Sequence, residues 1–181
     1  MPPEEVWQQF FDPEVILTKL GMRSEFESVV DLGCGYGTFA IPAAARIAGS
    51  VYAIDIDAEM IAGTSARARA RGLTNLIPMQ RDFLAEGTGL AEGCADFVMV
   101  FNLLHARESA AILAEASRLL KNRGILAVIH WNFDPATPRG PSMEIRATPE
   151  SCRYMIQQAG FSPGNCLDLP PYHYGFAAWP L

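Results

Sequence analysis

The chain is poor in cysteine: Cys34, Cys94, Cys152 and Cys166 are its only four, and no two form a C-x-x-C pair. That argues against metal sites and a disulfide framework and makes a reducing cytoplasm the expected location. No apolar run approaches the roughly 20 residues needed to cross a bilayer. The start, Met-Pro-Pro-Glu-Glu, is acidic where a signal peptide would be cationic, so none is expected. Positive charge is scarce too, with 14 Lys and Arg against 20 Asp and Glu and a formal charge of −6. A duplex binder must neutralise phosphates, so nucleic acid is not an expected partner. The one basic run, Arg67, Arg69 and Arg71, precedes Gly72 at an expected helix C-terminus, where cations complement the helix dipole. Internal repeats, low-complexity tracts and long linkers are also missing.

What is present is an apolar chain of 181 residues, 50% hydrophobic and 19% charged, which fits one domain with a substantial core. Short β-rich runs alternate with segments of helical period. Strands are expected at Ser28–Leu32, Ser50–Asp55, Leu76–Gln80, Ala95–Asn102 and Gly124–Trp131, most of them nearly continuous in apolar residues, as suits parallel strands covered on both faces. Helices are expected after Tyr36, over Ala58–Arg71 and over about Arg107–Leu120, with Pro42 tolerable only in the opening turn of the first. Asp12-Pro13 and Thr148-Pro149 are helix starts, and Gly160 is a stop. Two short strands, about Asn165–Leu169 and Gly175–Trp179, are joined too tightly for a crossover helix and must form an antiparallel hairpin. The alternation predicts an α/β, doubly wound sheet, mostly parallel, finished by that hairpin.

The most informative stretch is Asp31-Leu32-Gly33-Cys34-Gly35-Tyr36-Gly37, where an apolar strand runs into three alternating glycines and then a helix. Such a loop brings backbone amides and a helix start close to a ligand, at the carboxyl edge of the sheet. Two cofactors compete. Gly35-x-Gly37-x-x-Ala40, with Asp55 20 residues past Gly35, satisfies the dinucleotide fingerprint, which implies an NAD-dependent dehydrogenase. But Asp31-Leu32-Gly33-Cys34 intervenes between strand and fingerprint, and an acid there would repel a pyrophosphate.

Asp31-x-Gly33-x-Gly35-x-Gly37 instead resembles motif I of the class I S-adenosylmethionine-dependent methyltransferases, and four further segments follow in register. Ala53–Asp57 resembles the second strand, Gln80–Phe83 the element after strand three, Ala95–His105 motif IV, and Leu119–Gly124 the turn before strand five, with Asn122-Arg123 replacing Pro-Gly there. The closest likeness is to the small ubiquinone-biosynthesis-type (type 11) methyltransferases. The resemblance implies a Rossmann-like seven-stranded sheet, S-adenosyl-L-methionine as cofactor and S-adenosyl-L-homocysteine as product. It also implies an N-terminal helical cap over residues 1–27 ahead of the catalytic unit at 28–181, within a single domain.

The site residues implied are Asp31, Gly33, Gly35 and Gly37 around the methionine end, Asp55 and Ile56 at the ribose and ring, Asp82 and Phe83 at adenine, and Phe101 and Asn102 from motif IV. The chemistry agrees: a carboxylate accepts both ribose hydroxyls, another accepts the adenine amine, and the cationic groups favour Asp31. Phe83 also reads as core, Asp57 as a helix N-cap and Cys34 as a packing residue.

Acceptor chemistry is less legible. His105, His130 and His173 all fall on the carboxyl rim and are candidate bases or acceptor ligands, while each taken singly reads as an ordinary hydrogen-bonding histidine. Asp134, Arg139, Tyr172 and Tyr174 lie on the same rim; Asp134–Ala147 is long enough for a wall or lid, and Arg139 reads either as a substrate carboxylate ligand or as a surface cation. Val6, Trp7, Phe10 and Phe11 form an apolar stripe that suits a lid, core packing or a dimer contact equally, so monomer and homodimer both stand. With no inserted substrate domain, a small, partly apolar acceptor is expected. A non-catalytic cofactor-binding accessory module is the rival reading.

Overall fold

The computed structural model describes residues 3–181, so Met1 and Pro2 of the expected N-terminal segment lie outside the described residues. Five parallel strands form as the apolar runs predict: β1 (Ser28–Leu32), β2 (Ser50–Asp55), β3 (Leu76–Gln80), β4 (Ala95–Phe101) and β5 (Leu120–Trp131). The last begins four residues before the expected Gly124, because Leu120 pairs with Ala95 across a register shift between Ala95 and Phe97. β4 stops one residue short of the expected end, since Asn102 takes a positive φ of 58° and leaves the strand.

The chain closes with three antiparallel strands, β6 (Phe161–Pro163), β7 (Leu167–Leu169) and β8 (His173–Pro180). The order is β3-β2-β1-β4-β5-β8-β6, with β7 also on β8. The sheet therefore has the expected width of seven, but its last place is shared by two short strands, which makes eight in all. The expected hairpin is β7–β8, turning through a cis Pro170-Pro171 bond. β6 is too short to show a periodicity in sequence.

The helices begin where side-chain caps allow. Asp12, Asp57 and Thr148 each accept a backbone N–H at the start of α2 (Pro13–Lys19), α4 (Ala58–Ala70) and α7 (Pro149–Gln158), and Pro fills the first position in two of them. α1 (Glu4–Trp7) and a following 3₁₀ turn open the chain, Pro42 sits in the first turn of α3 (Ala40–Arg46), and α5 (Phe83–Glu86) and α6 (Ser109–Leu119) complete the set.

Strand periodicity divides the core into two layers. Phe97, Met99, Ile125, Ala127 and Ile129 face α2, α3 and the N-terminal segment, while Val98, Val100, Leu126 and Val128 face α6 and α7. The N-terminal segment belongs to the first layer: Phe10, Phe11, Ile16, Leu17, Leu20 and Met22 are buried in it. Phe97, Phe161 and Phe176 are the largest fully buried side chains, each worth roughly 1.5–3 kcal/mol in transfer free energy.

Candidate functional site

The carboxyl ends of β1 to β5 open into a cavity of about 760 Å³, within the range of small-molecule sites. A smaller recess of about 40 Å³ adjoins it behind the glycine loop, lined by Asp31, Thr38, Phe39, Phe101 and Asn102 among others.

The glycine loop is held from three directions. Gly33 and Cys34 donate to the Ile54 carbonyl at 2.8 and 2.9 Å, Gly35 donates to Asp55 Oδ2 at 2.8 Å, and Thr64 Oγ1 donates to the Gly35 carbonyl at 3.0 Å. Gly37, at a φ of 72°, leaves no space for a Cβ, which would stand 2.7 Å from Thr64. Arg67 clamps the Tyr36 carbonyl through two donors and pairs with Glu4 at 2.7 Å. Of the basic run, then, Arg67 is a half-buried clasp between glycine loop and N-terminal helix, while Arg69 and Arg71 are exposed.

The three acids of the motifs stand along this edge in strand order. Asp31, on β1, is 3% exposed, and its Oδ2 has no partner among the described residues. Burial pushes its carboxyl up to about 7; the nearby Asp55 charge adds to the rise and the Ala40 N–H opposes it. Asp55, ending β2, accepts one N–H on each oxygen, from Gly35 at 2.8 Å and Asp57 at 3.0 Å, which leaves acceptor capacity on both oxygens toward the cavity. Asp82, after β3, caps α5 with Oδ1 bound to the amides of Leu84 and Ala85, both at 3.1 Å, and its second oxygen is unpartnered among the described residues. That capping role is legible in the Asp-Phe-Leu-Ala order, an acid directly ahead of a helix start.

Between the acids the wall is apolar. Ile56 is 63% exposed, an unusual state for isoleucine next to a strand, and it lines the cavity with Phe83, Met60 and Leu84. Phe83 holds both expected positions, packing on the second core layer while forming cavity wall. Cys34 is buried, as a packing residue should be, and burial pushes its thiol upward.

The chemistry of this donor set fits S-adenosylmethionine. A buried carboxylate with one unpartnered oxygen suits an ammonium, a carboxylate with spare capacity on both oxygens suits vicinal hydroxyls, and an exposed apolar wall ending in a free carboxylate oxygen suits a ring with an exocyclic amine.

The three histidines are parted by the sheet. His130 pairs with Tyr174, and the next pair along, Trp131 with His173, faces the other way. His173 is fully buried, stacked on Phe11 at 4.4 Å and against Trp131 at 4.2 Å, with Asn102 Nδ2 3.4 Å from its Nε2. His130 is fully buried on the opposite face, between the rings of His105 (5.7 Å) and Tyr174 (6.1 Å). Burial pushes these imidazoles down, His130 to about 4 and His173 to about 3. Only His105 of the three lines the large cavity; it is half-buried and is also lowered by burial. Among the described residues no three His, Cys, Asp or Glu side chains gather as a metal site requires.

The far wall comes from elements that sequence patterning could not assign. Trp7 lines both the large cavity and the recess, while Phe10 and Phe11 of the same stripe are core and Val6 is exposed. Trp131 and Arg139-Gly140-Pro141 complete the wall. The 132–147 loop is folded around Arg146, which was not singled out in the sequence. Arg146 is 8% exposed and donates to the carbonyls of Asn132, Asp134, Arg139 and Pro141 and to the Thr137 hydroxyl. Tyr174 is buried with its hydroxyl on the Ala147 carbonyl, and Tyr172 packs against Phe10, so neither forms cavity wall.

Comparison with known proteins agrees with this geometry. A family model described as a methyltransferase domain matches residues 29–124, a little over half the chain. No curated protein sequence matches. Among solved structures, a SAM-dependent methyltransferase from Aquifex aeolicus is 25% identical, covering 99% of this chain and 94% of its own, with a TM-score of 0.86. A protein described as a type 11 methyltransferase from Sulfolobus solfataricus is 20% identical over 94% of this chain and 93% of its own, with a TM-score of 0.71. The [4+2]-cyclase SpnF, 16% identical over 93% of this chain and 79% of its own, shares the fold at a TM-score of 0.79, so the fold by itself does not dictate methyl transfer. No helix among the described residues is long and apolar enough to cross a membrane. With the matched segment running from the glycine-loop strand to the start of strand five, on a Rossmann-like sheet, the chain belongs to the methyltransferase domain family, in the class I, S-adenosylmethionine-dependent group.

Proposed function

We propose that this protein transfers a methyl group from S-adenosylmethionine to a small-molecule acceptor by in-line displacement. The observation that carries the reading is the ordered row of Asp31, Asp55 and Asp82, each with unspent hydrogen-bonding capacity, Asp55 and Asp82 on the large cavity and Asp31 in the small recess that adjoins it. Asp31 would hold the ammonium, Asp55 the ribose hydroxyls and Asp82 the adenine amine, with Ile56 and Phe83 on the ring faces. Gly33 and Gly35 let the backbone approach, Gly37, expected beside them, lies off this cavity and closes the loop against Thr64, and Phe101 and Asn102 border the methionine end. The cofactor supplies an already activated methyl group, so the protein has chiefly to align two reactants and exclude water.

Continuation of the cavity past the acids to Trp131 and Arg139 supports an acceptor space, and so favours an enzyme over a non-catalytic module. His105 is the histidine suited to take a proton from a hydroxyl or N–H acceptor, being on the cavity wall and neutral at pH 7 through burial. His130 and His173 would support that wall from opposite faces of the sheet. The N-terminal segment would act as a fixed cap, through Trp7.

Calorimetric titration with S-adenosylhomocysteine, with NAD as control, tests the cofactor reading. Micromolar binding of the former and none of the latter is expected. A folded sample that binds NAD, or neither compound, overturns it.

A further inference from the structure

The acceptor end of the cavity is chemically unlike the cofactor end. In strand order, the acids of the cavity lie at the ends of β2 and β3, as Asp55, Asp57 and Asp82. Across β1 and β4, where β5 ends, the only charged side chain lining the cavity among the described residues is Arg139. The other cavity guanidinium, Arg81, belongs to the acidic end and pairs with Glu86 at 3.7 Å.

Arg139 is exposed, and its side chain has no ion pair or hydrogen bond among the described residues, not even with Asp134 or Glu144 of its own loop. Its backbone, in contrast, is fixed: its carbonyl accepts from Arg146 Nη2 at 3.3 Å. The next residue, Gly140 at a φ of 116°, lies so close to Trp131 that a Cβ would stand 2.9 Å from the indole. A built loop thus presents one uncompensated guanidinium at the rim of a wall made of half-buried Trp7 and the edges of Trp131 and Phe101, which are 3% and 8% exposed. A single planar guanidinium matches a single carboxylate, two N–H groups to two oxygens, and the aromatic wall matches a flat apolar body.

We infer that the acceptor is a small aromatic or apolar carboxylic acid, its carboxylate held by Arg139 and its body laid on the aromatic wall of Trp7 and the Trp131 edge. The inference rests on the methyl-transfer reading of the same cavity. It orients the acceptor, with the acid at the β5 edge and the group to be methylated toward β4, where His105 stands.

Ligand-observed NMR and calorimetry on the intact chain test this, with benzoate and indole-3-acetate as probes, benzamide and indole-3-acetamide as their neutral counterparts, and phenyl phosphate as the rival anion. Each is titrated with and without S-adenosylhomocysteine. Each acid is expected to bind about tenfold more tightly than its own amide. In Arg139→Gln that preference is lost, while affinity for S-adenosylhomocysteine and the melting temperature stay as in the parent, because the Arg139 side chain holds nothing else in place. Equal binding of acid and amide, a preference that survives Arg139→Gln, or no acid bound at millimolar concentration overturns the inference; tighter binding of phenyl phosphate than benzoate replaces the carboxylate by a phosphate. Failure of S-adenosylhomocysteine to bind counts against the cofactor reading, since the acid-over-amide comparison in its absence still judges Arg139.

Discussion

Asp55 accepts the backbone N–H of Gly35 at 2.8 Å, so the carboxylate that ends β2 also sets the conformation of the loop that follows β1. One side chain thereby links the two halves of the cofactor end. The Asp55 carboxylate, the proposed ribose ligand, and the loop amides cannot shift independently.

Substitution at Asp55 should therefore exceed the loss of one hydrogen bond. Asp55→Ala is expected to weaken S-adenosylhomocysteine binding by at least about tenfold, equivalent to about 1.4 kcal/mol, because the Gly35 N–H loses its partner along with the ribose. Titration calorimetry on the folded variant reads this directly. Unchanged affinity would remove Asp55 from the site.

If Asp31 holds the cofactor ammonium as proposed, it should make binding depend on pH. Its carboxyl titrates near 7 in the folded protein, against about 3.9 in an unfolded chain. Its contribution to stability is full below pH 4 and is lost as pH rises through 7. A cationic ligand group favours the ionised form, so S-adenosylhomocysteine should bind more tightly as pH rises from 5.5 to 7, with a plateau above 8. Calorimetry in two buffers of different ionisation enthalpy should register release of nearly one proton at pH 6 and almost none at pH 8. Asp31→Asn should abolish that release.

Acid sensitivity should trace in part to His130. Its folded value near 4 lies below the unfolded 6.5, so its stabilisation is present above pH 6.5 and lost as pH falls toward 4. The rings of His105 and Tyr174 flank it, and the Arg146 charge holds its value down further. His130→Met should flatten the fall in melting temperature between pH 6.5 and 4.5. A slope identical to the parent's would assign the acid response to His173 or elsewhere.

The apolar stripe should divide by function. Phe11, buried against His173 and edge-on to Phe39 at 5.2 Å, belongs to the core, and Phe11→Ala should cost about 3–5 kcal/mol in chemical unfolding. Trp7 is only half-buried and forms wall, so Trp7→Ala should lower ligand affinity several-fold with a smaller loss of stability. Equal effects of both substitutions on unfolding would make Trp7 core as well.

How much of this was legible varied with the range of the interaction. The starts of β1, β2 and β3, the caps Asp12, Asp57 and Thr148, and the acids after each strand follow from local pattern, since strand period and capping act within a few residues. β6 and the early start of β5 did not, because each exists only through pairing with a distant strand.

By itself the sequence determined the parallel sheet, the glycine loop and the order of its acids, all of which arise from residues close along the chain. The tertiary structure decided the rest of the site. It put His130 and His173 on opposite faces of the sheet, because adjacent residues on a strand point to opposite sides, and left His105 on the cavity wall. It also divided the apolar stripe between core and wall, and it wound the 132–147 loop around Arg146 so that the Arg139 side chain is left without a partner among the described residues. Those outcomes depend on which surfaces meet after folding, and no local period carries that information.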